Sequence, residues 1–128
     1  MADDQDDRDQ RVLNRLREIC ATFSGCEESI LQDRPLFHVR RRRFAIFNGE
    51  SSPPRSRWAA AGRSVHFLSE PSDREALLQD QRFTRSAHHG DRGWLAIRLD
   101  PDTVDWQELS ELLAAAHEHV VSRRERRS

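Results

Sequence analysis

The chain has 128 residues, of which 34% are charged and 36% are apolar, and its formal net charge is −1. This length suits one domain with an ordinary core, and two cysteines are too few for the disulfide framework of a small secreted protein. The near-neutral charge excludes a simple polycation. Since neither a signal peptide nor a membrane-spanning apolar run is visible, we expect a cytoplasmic protein.

The charges are unevenly distributed. Residues 1–9 hold five Asp and one Arg, a net of −4, and residues 10–128 hold 20 Arg against 17 acids, a net of +3. We predict a disordered acidic tail over residues 1–8, one domain over 9–122 and a basic tail over 123–128. This split also suggests that the acidic tail masks a basic face.

The first predicted element is an amphipathic helix. Apolar residues from Val12 to Phe23 recur at three- and four-residue spacing, and Ser24-Gly25 ends the pattern. A weaker strand candidate follows at residues 27–32, before a turn around residues 33–35.

The stretch LFHVRRRRFAIF, residues 36–47, places four consecutive arginines between two β-prone flanks. It predicts a β-hairpin, and a two-residue loop of Arg41-Arg42 would pair Arg40 with Arg43. That register gathers four apolar side chains on one face: Phe37, Val39, Phe44 and Ile46. Arg-Arg is unfavourable in a type I′ turn, so a longer loop remains an alternative.

The second half of the chain alternates strands and helices without a regular βαβ repeat. Strand signals begin at residues 58–61 and 64–69, a short helix follows the S-x-x-E pattern at Ser72, and another strand covers 93–99. A last helix starts at Asp105, with a buried face predicted at Trp106, Leu109, Leu113, Ala116 and Val120. The sequence therefore predicts an α+β fold, an antiparallel sheet with N- and C-terminal helices packed against it.

No residue pattern indicates catalysis or metal binding. His88-His89 are adjacent and His117 and His119 are two apart, so neither pair presents two ligands on one helical face. Asp100, Asp102 and Asp105 flank a proline turn and a helix start, where acids serve as turn and cap residues. We expect no enzyme activity, no metal site and no cofactor.

The arginine run admits two interpretations: a solvated turn, or a protruding wing that contacts DNA phosphates. The candidate DNA-binding residues are Arg40, Arg41, Arg42, Arg43 and Arg92. Further arginines could extend this footprint if they lie on the same side of the fold: Arg55, Arg57, Arg63, Arg123, Arg124, Arg126 and Arg127.

Three stretches resemble the MmcQ/YjbR family of small bacterial proteins: LFHVRRRRFAIF, HHGDRGWLAIRLD and VDWQELSELLAAAHEHV. The resemblance covers about residues 10–124 and implies a compact α+β domain of the double-wing type. That type is named as DNA-binding largely because its structure is similar to DNA-binding domains. The resemblance places Arg41-Arg42 in the turn, and Trp94 and Trp106 as packing residues. The sequence departs from the family pattern at four places. Arg replaces the turn glycine, Gly25 replaces a proline and His117 replaces a tyrosine. The strand lysine of the family falls near Ser69, where this chain has no lysine.

We therefore expect a non-enzymatic, monomeric protein that binds double-stranded DNA weakly, mostly through phosphates. The alternative is a protein-interaction module whose arginine hairpin meets an acidic partner or the chain's own acidic tail. A small-molecule pocket under the sheet is a third possibility.

Overall fold

The computed structural model describes residues 2–49, 62–86 and 92–127, with side chains in 7–49, 62–86 and 92–122. These residues form nine elements in chain order: α1 (Ala2–Cys20), β1 (Cys26–Leu31), β2 (Arg34–Val39), β3 (Arg42–Asn48), β4 (Ser64–Leu68), α2 (Pro71–Leu78), β5 (Phe83–Arg85), β6 (Trp94–Arg98) and α3 (Trp106–Arg127). The strands pair antiparallel in one sheet, in the order β1-β2-β3-β4-β6-β5. The predicted α+β fold is confirmed.

Helix α1 is longer than predicted. Its apolar stripe is buried as expected at Val12, Leu13, Leu16, Ile19 and Cys20. The helix begins at Ala2, however, so the backbone of residues 2–8, which we predicted to be disordered, is helical. Acidic residues in the first turns of a helix are favourable because they face the positive end of its macrodipole.

Helix α3 begins as predicted. The Glu108 backbone N–H donates a hydrogen bond of 3.1 Å to Asp105 Oδ1, which caps the helix. The predicted face is buried at Leu109, Leu113, Ala116 and Val120, whereas Trp106 is half-buried under the Arg15 guanidinium, 6.0 Å from its ring centre. The helix continues to Arg127, so the backbone of the predicted basic tail is helical up to that residue.

The β2–β3 hairpin forms, but its predicted register is wrong. Val39 pairs with Arg42, which makes Arg40-Arg41 the two-residue loop, and Arg40 has a φ of 54°. The register shifts between Phe37 and His38, so that Phe44 is a bulge residue of β3 with no register partner in β2. Phe37 therefore pairs with Ala45, and Ile46 lies on the other face of the sheet.

The other elements differ from the prediction in detail. The β1–β2 turn lies at Gln32-Asp33, both at positive φ, so Arg34 belongs to β2. The N-cap of α2 is Glu70 rather than Ser72, with Pro71 in the first turn, where its missing N–H costs no hydrogen bond. Strand β5 was not predicted, and the strand signal at 58–61 lies outside the described residues.

The two faces of the sheet differ in chemistry. Cross-strand pairs place an apolar set on one face: Ala45, Phe47, Val65, Phe67, Leu95 and Ile97. The other face carries polar side chains among apolar ones, including Asn48, Ser64 and His66. The buried apolar residues of α1, α3 and the sheet form one hydrophobic cluster. Within the described ranges, no helix has the length and apolar character to cross a bilayer.

The antiparallel order defines two ends of the sheet. The hairpin end holds the Arg40-Arg41 loop, the C-terminus of β4 and the N-terminus of β6, because Trp94 pairs with Leu68. The far end holds the C-terminus of β3 and the N-terminus of β4, because Asn48 pairs with Ser64.

Candidate nucleic-acid interface

Four arginine side chains surround the hairpin tip. Arg40, Arg41 and Arg43 are exposed and Arg42 is half-buried. Among the described residues, none of the four arginine side chains takes part in an ion pair or a hydrogen bond, and the His38 side chain bonds to the backbone carbonyl of Arg40. No described acid forms an ion pair with them, so their mutual repulsion favours an external anion.

The base of the hairpin is held rigidly while its tip is exposed. Phe44 is fully buried and contacts Phe23 and His117 edge-on, at ring-centre distances of 6.2 and 5.6 Å. His117 also stacks on Phe23 and forms a hydrogen bond of 2.8 Å from Nε2 to the carbonyl of Ser24. These contacts attach the hairpin to the C-terminal half of α3.

His38 fixes the conformation of the loop. Its Nδ1 lies 2.5 Å from the Arg40 carbonyl oxygen, which accepts only, so Nδ1 carries a proton and donates. Its Nε2 lies 2.7 Å from Ser29 Oγ on the neighbouring strand β1. A side chain that the sequence did not single out thus joins the loop to the adjacent strand and supports the strained φ of Arg40.

Replacing His38 with alanine should make the Arg40-Arg41 loop more mobile. The variant loses both hydrogen bonds, and we expect its free energy of unfolding to fall by about 1 kcal/mol, with faster amide exchange at the loop. Urea unfolding and hydrogen exchange measure both effects. The Ser29→Ala variant keeps the bond to Arg40 and serves as the control; faster loop exchange in this control as well would contradict the assignment.

Arg92 lies at the same end of the sheet as the hairpin. It is exposed and lies two residues before Trp94, the start of β6, which is separated from β3 by β4 alone. Two inter-strand spacings place the N-terminus of β6 roughly 10 Å from β3. The predicted site residues Arg40–Arg43 and Arg92 therefore face a common end.

A further arginine at this end was missed in the sequence analysis. Arg74 on α2 donates a hydrogen bond of 2.9 Å from Nε to Ser69 Oγ, and Ser69 Oγ in turn donates to the carbonyl of Gly93 at 2.7 Å. Gly93 has a φ of 92°, and a β-carbon there would collide with the Arg74 guanidinium. Ser69 is the position near which the family resemblance places a strand lysine, so Arg74 supplies a cation where the sequence appeared to lack one.

Helix α3 also runs toward the hairpin end. His119 Nδ1 lies 3.0 Å from Glu70 Oε1, next to the C-terminus of β4. The helix continues from there to Arg127, a further rise of about 12 Å. The turns beyond His119 contain four arginines: Arg123, Arg124, Arg126 and Arg127.

Other arginines lie elsewhere. Arg63 is at the far end of the sheet, buried, with its Nε 2.6 Å from Asp9 Oδ1. Arg55, Arg57 and the His88-His89 pair fall outside the described residues. Because α1 places Asp9 at the far end and continues N-terminally from it, the helical acidic segment lies away from the hairpin of its own chain.

A buried polar row crosses the second face of the sheet and was not predicted. Asn48 Oδ1 accepts from Arg34 Nε at 2.9 Å, and Asn48 Nδ2 donates to the Gly62 carbonyl at 2.6 Å. Ser64 Oγ donates to the same carbonyl at 3.1 Å and lies 3.2 Å from His66 Nε2. Burial lowers the pKa of Arg34, and the neighbouring Asp33 carboxylate opposes part of this shift. The row continues from His66 Nδ1 to Ser86 Oγ, 2.9 Å away.

The far end also carries an open cavity of about 300 Å³ beside the start of α3. Arg82 is clamped there between two carboxylates, with Nη2 2.7 Å from Asp80 and Nη1 2.6 Å from Glu108. The guanidinium lowers the pKa of Asp80 by direct hydrogen bonds. The charge of Arg82 at this cavity is therefore compensated by two carboxylates.

Comparison with known protein families agrees with this architecture. The YjbR family model matches residues 21–119, a span that includes the hairpin, the Gly93-Trp94 strand entry and most of α3. A search of curated proteins gave no match. Because the family match covers most of the sequence, the chain belongs to the MmcQ/YjbR family.

Proposed function

We propose that the protein binds double-stranded DNA weakly and mainly through phosphates, as a binding module rather than an enzyme. The Arg40–Arg43 hairpin serves as one wing. The observation that carries this proposal is the group of unpaired arginines on a rigidly held hairpin, at the same end of the sheet as Arg92.

The chemistry of arginine supports phosphate as the ligand. A guanidinium presents a planar fork of N–H donors that matches two phosphate oxygens, and it is more weakly hydrated than an ammonium. Contacts of this type carry little sequence information, so binding should be tolerant of sequence. Dissociation constants for such binding are about 10⁻⁴–10⁻⁶ M at physiological salt.

The shape of the hairpin end supports a duplex as the form of that phosphate. The hairpin and the N-terminus of β6 project from positions roughly 10 Å apart, and α3 carries further arginines past the same end. An array spread over this width can meet several phosphates, since a duplex carries one negative charge per about 1.7 Å of its axis. Glu70 at this end contacts His119, and Glu27, the register partner of His38, is exposed on the strand beside the hairpin.

The hairpin contribution is tested with a charge-removal variant, Arg41→Gln/Arg43→Gln. Both side chains are exposed, neither has a positive φ, and glutamine retains most of the length of the side chain. Fluorescence anisotropy of a labelled random duplex at several salt concentrations should show that the variant loses about one to two units of the slope of log K against log salt.

The matched control is Arg8→Gln/Arg11→Gln. These residues are also exposed, but they lie on the part of α1 next to Asp9 and the far end of the sheet. The control removes the same charge and should keep the wild-type slope within about half a unit. Equal losses in both variants would point to net charge alone and contradict the hairpin assignment. If neither the wild type nor the variants bind DNA at low salt, an acidic protein becomes the better candidate for the partner of the hairpin.

A further inference from the structure

The chain's two cysteines lie together at the junction of α1 and β1. Cys20 ends the helix and Cys26 begins the strand. Two successive turns fold the connection: the Phe23 N–H donates to the Cys20 carbonyl at 3.0 Å, and the Cys26 N–H donates to the Phe23 carbonyl at 3.2 Å. Both side chains line the same cavity of about 160 Å³.

The two thiols differ in accessibility and in chemistry. Cys20 is 2% exposed, whereas Cys26 is half-buried at the cavity. The neighbouring Cys20 thiol lowers the pKa of Cys26, an effect that burial and the Glu28 and Glu27 carboxylates oppose, whereas the Cys26 thiol and burial raise the pKa of Cys20. The Cys26 Sγ lies 3.9 Å from the Glu27 carbonyl oxygen. Cys26 is therefore the thiol that ionises first and meets solvent, and Cys20 is held beside it in protonated form.

We propose that Cys26 and Cys20 form an oxidation site, in which Cys26 reacts with a peroxide and Cys20 resolves the product to a disulfide. In the first step the Cys26 thiolate attacks one oxygen of hydrogen peroxide, the O–O bond breaks, and sulfenic acid and hydroxide form. In the second step the Cys20 sulfur attacks the sulfenic sulfur, and the S–O bond breaks. The proton of Cys20 leaves with the hydroxyl group as water, so the two thiols are oxidised by two electrons and the peroxide is reduced.

The position of the pair gives the disulfide a structural consequence. Cys26 is the register partner of Val39, the last residue before the Arg40-Arg41 loop. A bond to Cys20 would fasten the C-terminus of α1 to the strand beside the hairpin base. This inference rests on the thiols alone and stands whether or not the hairpin binds DNA.

The test treats the reduced full-length protein with hydrogen peroxide and follows the intact mass and the free thiols. We expect a monomer that has lost two hydrogen atoms and both thiols, a cross-linked peptide joining residues 20 and 26, and full reversal by dithiothreitol. Thiols that stay free in the folded protein, while the urea-unfolded chain is oxidised, would overturn the proposal, and so would disulfide-linked dimers.

Two variants assign the roles of the thiols. Cys20→Ser should stop at a sulfenic acid on Cys26 that dimedone labels. Cys26→Ser should leave a buried thiol that reacts at least about tenfold more slowly than the wild-type pair. Equal rates for Cys26→Ser and wild type would overturn the assignment. If a variant fails to melt cooperatively, alkylation of the wild type with iodoacetamide gives the same answer, since residue 26 should be modified first.

Discussion

Replacing Arg63 with methionine should lower the free energy of unfolding by about 3 kcal/mol. The Arg63 Nε lies 2.6 Å from Asp9 Oδ1, and the two side chains are only 8% and 13% exposed. The pair joins α1 to the start of β4 across the far end of the sheet. Methionine keeps the aliphatic bulk but leaves the Asp9 carboxylate in a poorly hydrated position without its cation.

The control for this prediction is the same substitution at Arg11. The Arg11 guanidinium lies 4.0 Å from Asp102, with side chains 64% and 71% exposed, so water screens the pair. Arg11→Met should therefore change the free energy of unfolding by no more than about 1 kcal/mol. Urea denaturation measures both variants. If they were equally destabilised, burial of the Arg63–Asp9 pair would not be the cause.

Replacing Asn48 with alanine should also cost about 3 kcal/mol, because the buried Arg34 guanidinium and the buried Gly62 carbonyl each lose a hydrogen bond at once. Asn48 is fully buried, accepts from Arg34 and donates to the Gly62 carbonyl. Alanine leaves the Arg34 Nε–H and the carbonyl without these bonds and also opens a small cavity. The buried polar row would be interrupted between Arg34 and the Gly62 carbonyl.

Asn14 provides the matched control. Its Oδ1 accepts a hydrogen bond of 2.8 Å from Gln10 one helical turn away, but both side chains are exposed. Asn14→Ala should leave the free energy of unfolding unchanged or raise it by up to about 0.5 kcal/mol, because alanine has the higher helix propensity. Thermal and urea unfolding should separate the two variants clearly. If Asn48→Ala changed the free energy of unfolding as little as Asn14→Ala does, the buried polar row would be dispensable for stability.

The elements with strong local signals were predictable from the sequence. The start of α3 follows from Asp105, a capping residue placed before a regular apolar stripe, and the structure shows the expected cap. The stripe of α1 was equally clear, but its N-terminus was not. Acidic residues argue for disorder when they are considered alone, although they are well tolerated at the N-terminal end of a helix.

The hairpin register could not be derived from alternation. Alternation determines register only where one face of a strand is buried and the other exposed, but residues 44–48 of β3 are buried without interruption. The bulge then shifts one strand against the other by a residue. The actual loop also depends on His38, whose bond to Arg40 is a feature of the folded chain and not of any local sequence pattern.

The buried polar row was missed because its members are distant in the sequence. Arg34, Asn48 and Ser86 belong to three separate segments that only the strand order brings together. One signal was present. Asn48 and His66 each adjoin strongly apolar stretches, and a polar residue in such a place needs a buried partner. The position of the arginine run at the hairpin tip, in contrast, was predictable, because a run of charge at a turn is a local feature.

The salt dependence of wild-type binding to a random duplex tests the central claim most directly. We predict micromolar affinity at low salt, no preference among unrelated duplexes, and a linear fall of log K with log salt. The slope should correspond to about three to six phosphates at roughly 0.9 per phosphate, as expected for an array of this size. An absence of binding at low salt, or an affinity that salt leaves unchanged, would contradict phosphate-directed DNA binding by this protein.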